Sequence, residues 1–162
     1  MRASGISFLL LAFSCFVIAA SPGAAHIDAI TLERTSCYGT CPVYKVTLHR
    51  DGTVAYDGKE FVKVTGHRTS KIPPERFQQL AREVEQIGFF GFKAEYRYKR
   101  NPDGSADFVT DMATRFTTVQ AGKLRKRVVN YYGGPQSLER LENLIDKISG
   151  SSEWTGRRPN ET

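Results

Sequence analysis

The chain has 162 residues, with 23 Lys and Arg against 17 Asp and Glu, and a formal net charge of +6. That length supports one domain around one core and excludes a multi-domain organisation. The mild basic balance favours anionic surfaces or polymers, while nucleic-acid binding would want a larger basic excess with interleaved aromatics.

The chain starts with Met1-Arg2, followed by an apolar run from Phe8 to Ala20 interrupted by Ser14 and Cys15, then Ser21-Pro22-Gly23-Ala24-Ala25. This is the order of a charged n-region, an apolar h-region and a small-residue cleavage region, so residues 1–25 read as a signal peptide. Cleavage after Ala25 is preferred to cleavage after Ala20. The run of about 13 apolar residues falls short of the roughly 20 that a spanning helix takes. Phe13 inside the small-residue box argues against lipidation of Cys15. No later stretch is long and apolar enough to span a bilayer. The expected location is periplasmic or secreted, with residues 26–155 as a single domain and 156–162 as a flexible tail.

Residues 27–34 alternate, with Ile30 and Leu32 on one face and Thr31 and Glu33 on the other, as in a half-buried strand. A loop with both remaining cysteines follows, then a strand with Tyr44, Val46 and Leu48 on one face. Asp51-Gly52 signals a hairpin turn, and Asp57-Gly58 reads as a second turn between strands 53–56 and 59–65. Four strands in a meander result. From Pro73-Pro74, the apolar stripe Phe77, Leu80, Ala81, Val84 and Ile87 predicts a helix that stops at Gly88. Phe89, Phe90 and Phe92 are expected beneath it. Residues 99–105 form a polar turn region. Strands at 114–120 and 124–131 follow, then Gly133-Gly134-Pro135 and a second helix carrying Leu138, Leu141, Leu144, Ile145 and Ile148. The fold class is α+β: an antiparallel sheet of about six strands with two helices on one face.

Cys37-Tyr38-Gly39-Thr40-Cys41 is the most specific local feature. In an oxidising compartment, Cys37 and Cys41 read first as a structural disulfide. Redox catalysis would want an activated thiolate, often in a C-x-x-C spacing. The spacing here is one residue longer, and Pro42 and a strand follow. A closed zinc site would want four ligands, and His26, His49 and His67 are scattered. His26 at the mature N-terminus is a minor copper candidate. Glu83, Glu85, Glu139 and Glu142 are assigned to solvated helix faces. Asp111 reads as a cap or salt-bridge residue. No G-x-S-x-G, P-loop or G-x-G-x-x-G is present. The backbone at Gly133-Gly134-Pro135 reads as a helix-start turn. Lys123, Arg125, Lys126 and Arg127, with Arg115 on the partner strand, form a basic cluster suited to an anion or a partner protein. Lys123, Arg125 and Arg127 are expected on one side of their strand.

The run C-x-G-x-C-P-x-Y from Cys37 to Tyr44, then Asp51-Gly52, Val54, Tyr56 and Gly58, resembles a bacterial family of exported proteins known only as a domain of unknown function. Gly66, Pro74, Thr110-Asp111, the 126–131 strand and the 138–148 helix extend the similarity to residues 28–155. Arg125-Lys126-Arg127 is more basic than that family would have there. The resemblance implies a bacterial envelope location and supplies no reaction. The expected function is a non-catalytic binding or structural module of the cell envelope, with no cofactor and no metal. A thiol–disulfide-active or other small enzyme, and a secreted inhibitor of another protein, are the alternatives.

Overall fold

Alternating side chains build a sheet first, and two apolar helix stripes then cover one of its faces. The computed structural model describes residues 26–156. The leader reading, its cleavage positions and Cys15 therefore lie outside the described residues, as do residues 157–162.

Strands β1 (Ile27–Arg34), β2 (Val43–His49), β3 (Thr53–Glu60) and β4 (Gly66–Lys71) pair antiparallel in chain order, the expected meander. Helix α1 (Pro74–Gln86) follows, with Phe77, Leu80 and Val84 buried and Gly88 in the left-handed region at its end. A 3-10 turn at Phe89–Gly91 folds Phe89 into the core, edge-on to Phe90 and Phe92. Next come β5 (Glu95–Tyr96) and a short ribbon of β6 (Lys99–Arg100) with β7 (Ala106–Asp107). The β8 (Arg115–Ala121) and β9 (Leu124–Asn130) hairpin precedes α2 (Gln136–Ser149) and the short α3 (Ser152–Thr155).

The main sheet has seven strands in the order β4-β3-β2-β1-β8-β9-β5. The hairpin docks antiparallel on β1, which puts the first strand in the middle. The α+β class is as expected. The sheet gains one strand, because β5 adds in parallel to β9, and the small ribbon stands apart from it.

Helices α1 and α2 pack on one face, where Ile30, Leu32, Val46, Leu48, Val54, Val119 and Val128 meet Leu80, Leu138, Leu141 and Ile145 in a single core. No helix among the described residues is long and apolar enough to cross a membrane.

The second turn lies elsewhere than expected. Asp57 and Gly58 are inside β3, paired with His67 and Gly66, and the chain reverses over residues 61–65, with Phe61 at φ 52°. Gly58 serves a close approach instead of a turn. A Cβ there would collide with the Val64 carbonyl and the Tyr56 side chain. Side-chain absence is read as turn chemistry from sequence, yet a strand can need it for packing.

Candidate functional site

Alternation carries past the last apolar residue of each strand. Arg34 follows Ile30 and Leu32 on the helix-covered face of β1, and Arg115 precedes Thr117 and Val119 on the same face of β8. The register aligns Tyr44, Arg34, Arg115 and Asn130 as one row across four neighbouring strands. Two guanidinium groups thus lie side by side under α2. Burying them requires opposite charge. Glu142 and Asp146, one helical turn apart on the buried face of α2, supply it.

Asp146 is the hub. Its Oδ2 accepts hydrogen bonds from Arg34 Nη2 at 2.7 Å and Nε at 3.0 Å. Its Oδ1 accepts one from the Tyr44 hydroxyl at 2.6 Å and one from the Ser151 hydroxyl at 2.8 Å. Burial works against the charge on Arg34, but the Asp146 carboxylate outweighs it and keeps the guanidinium firmly protonated. Burial and then the same carboxylate push the Tyr44 phenol well above its ordinary range.

Glu142 is fully buried. It accepts from the Asn130 amide at 2.9 and 3.1 Å and from the Thr117 hydroxyl at 3.4 Å. Arg115 Nε lies 3.1 Å from Glu142 Oε2, an ion pair outside hydrogen-bond geometry. Burial raises the Glu142 carboxyl above its ordinary value, against the opposing pull of Arg115 and Asn130.

Glu142 therefore does not sit on a solvated face as its sequence neighbours suggested, although Glu139 is exposed and lies 3.7 Å from Arg115. The signal was present in the sequence: Leu138, Glu142 and Asp146 follow one another at four-residue steps within the apolar stripe.

The cysteine loop grows from the feet of this network. Arg34 and Tyr44 are cross-strand partners, and Cys37 and Cys41, three residues beyond each, form the expected disulfide with Cα atoms 5.7 Å apart. Tyr38 at its tip is 89 % exposed. The loop is tied to the segment ahead of β8: Tyr38 N–H donates to the Asp111 carbonyl, and Thr35 N–H to that of Thr114, both at 3.0 Å. Asp111 has φ 68°, a left-handed conformation that Asp tolerates better than most residues. Its carboxylate accepts from the neighbouring Thr110 hydroxyl at 2.9 Å, and the tie to the cysteine loop runs through its carbonyl.

The basic cluster divides between the two faces of the sheet. Arg125 and Arg127 point from β9 to the face without helices, beside Gln120 and Thr118. Arg127 lies over the Phe116 ring, 4.1 Å from its centroid, and 3.9 Å from Glu33. Lys123 is exposed in the hairpin turn. Lys126 turns the other way and donates to the Phe92 carbonyl at 2.7 Å, and Arg115 belongs to the buried row. Strand alternation puts Arg125 and Arg127 on one face and Lys126 and Arg115 on the other.

A cleft of about 290 Å³ opens where β1 starts, lined by His26, Arg50, Phe77, Arg82 and Glu85 among others. Among the described residues, no three His, Cys, Asp or Glu side chains are grouped to hold a metal ion.

No curated protein matches this sequence. A family model does match, over residues 28–149, and it takes in the cysteine loop, all of the sheet but Ile27, and both acids of α2. The chain belongs to the family described as a domain of unknown function, DUF6438.

Proposed function

We propose that this protein is an exported, disulfide-stapled binding module of the cell envelope, with residues 1–25 as a removable leader and the bare face of β9 as its anion-contacting surface. Two features support export: the order of charged, apolar and small residues ahead of His26, and a disulfide, a bond that persists in oxidising compartments.

The observation that carries the binding reading is the placement of Arg125. It is exposed on the uncovered face, no carboxylate among the described residues pairs with it, and Arg127 and the Lys123 turn flank it. Arg127 lies over the Phe116 ring, which limits the freedom it would lose on binding. The buried row, by contrast, spends its charges internally and offers none to a ligand.

Retention on immobilised polyphosphate tests the reading. The protein should bind at low salt and release as salt rises, and the double variant Arg125→Glu, Arg127→Glu should lose retention while keeping its thermal midpoint. Unchanged retention would overturn the assignment.

A further inference from the structure

Six large apolar side chains among the described residues are exposed, and five of them stand at one end of the sheet. Arg34, Val43, Glu60, Arg115 and Asn130 are the strand ends that meet there. Phe61 follows Glu60, Tyr38 tips the cysteine loop, and Met112 lies just ahead of β8. Tyr98 reaches the same end beside Gly133, where an added Cβ would fall 2.4 Å from the Tyr98 carbonyl oxygen. Phe108 joins it, with the two ring centroids 5.4 Å apart. Leu124, the sixth, is at the opposite end.

Hydrogen bonds join these segments. Besides the tie from Tyr38 to Asp111, the Met112 N–H donates to the Tyr131 hydroxyl at 3.4 Å and the Tyr131 N–H to the Tyr96 carbonyl at 2.9 Å. In strand order the five run Phe61, Tyr38, Met112 and then the Tyr98–Phe108 pair. Four strand spacings make that line about 20 Å long. The backbone marks the same end. Phe61 and Asp111, at φ 52° and 68°, are the two non-glycine residues with left-handed backbone among the described residues. A bulky residue such as Phe avoids that region, and positions held there cluster at ligand-binding segments.

The charge pattern selects the occupant. Residues 35–42 carry no charge, and residues 97–112 carry three cations and three acids. Arg100 lies over the Tyr98 ring, 5.6 Å from its centroid, and Arg97 pairs with Glu95. This balance favours an uncharged ligand over a polyanion. A protein partner would cover a compact apolar centre with a polar rim. Here the rings are strung along a line and separated by hydroxyl-bearing residues such as Ser36 and Thr110. A glycan strand has the matching pattern: the C–H face of a sugar ring packs on an aromatic face, and hydroxyls at its edge take hydrogen bonds.

We infer that this end of the sheet binds a neutral glycan strand, with Tyr38 and the Tyr98–Phe108 pair stacked against sugar rings. The surface is separate from the bare face of β9.

Isothermal titration of the protein with chitohexaose and with cellohexaose tests it, and at least one of the two should bind. Tyr38→Ala and Phe108→Ala should each weaken that binding roughly fivefold, and Tyr38→Phe, which keeps the ring, should retain it. The two side chains are 89 % and 74 % exposed, so the thermal midpoint should not move. The double variant Arg125→Glu, Arg127→Glu should leave glycan binding as it is, whatever it does to polyphosphate retention. Absence of binding by both oligosaccharides overturns the inference, as does binding that neither alanine variant weakens or that the double variant abolishes. Capture of an envelope protein through Tyr38 and Phe108, with no glycan bound, overturns it in favour of a protein partner.

Discussion

Arg34 and Arg127 each meet a carboxylate, and the two pairs have opposite meanings. Arg34 and Asp146 lie 2.7 Å apart with side chains 20 % and 3 % exposed, within a shell that also holds Tyr44 and Ser151. Arg127 and Glu33 lie 3.9 Å apart at 47 % and 40 % exposure, with water available to both. Removing one partner of the first pair strands a charge away from solvent, whereas removing one partner of the second lets water take its place. Identical chemistry thus locks the fold on one side of the sheet and stays open to solvent on the other.

The largest test of this contrast is Asp146→Ala. It leaves the Arg34 charge and the Tyr44 hydroxyl buried without their acceptor, at a cost of about 3–5 kcal/mol. Thermal unfolding should show a midpoint lower by roughly 10–20 °C; a drop no larger than that of a surface variant would break the comparison.

Glu142→Gln sharpens it through pH. Burial raises the folded-state carboxyl above its ordinary 4.5. Folding therefore favours the protonated form, so this group's contribution is full below the ordinary value and is lost as pH rises through the folded one. The native protein should gain stability relative to the Gln variant as pH falls from neutral to mildly acid. Denaturant midpoints of both proteins across that range check the sign, and a gap that stays constant or moves the other way counts against it.

The smallest effect is expected for Arg127→Ala. Its stability change should stay within about 1 kcal/mol, measured by the same midpoints, and a larger loss would place Arg127 in the fold and not on a binding face.

Much of this was legible in the sequence because alternation is a local signal. Residues 27–71 gave the meander and the stripe from Phe77 to Ile87 gave α1. Cys37 and Cys41 gave the staple because their separation is small. What escaped depends on partners distant in the chain. Arg34 and Arg115 could have been assigned to the inner face by parity, but their neighbouring positions in one row exist only once β8 has docked on β1. Glu142 looked solvated because an acid on a helix usually is, and only Arg115, Thr117 and Asn130, brought under it by the β8–β9 hairpin, explain its burial. Gly58 looked like a turn because its reason, the nearby Val64 carbonyl, comes from the reversing segment 61–65. Lys123, Arg125, Lys126 and Arg127, with Arg115, read as one basic cluster, and pleating puts Lys126 and Arg115 on the face opposite Arg125 and Arg127.

The central position of β1 sets the order in which this molecule can close. The first strand to leave the ribosome takes its second neighbour, β8, from the last third of the polypeptide, and α2 caps the buried row only after that. Pairings of such long sequence separation form slowly, because the intervening loop must be ordered before they are gained. A nascent chain can assemble the first hairpins yet has no finished core until synthesis is nearly complete. It stays without a closed core through most of its translation.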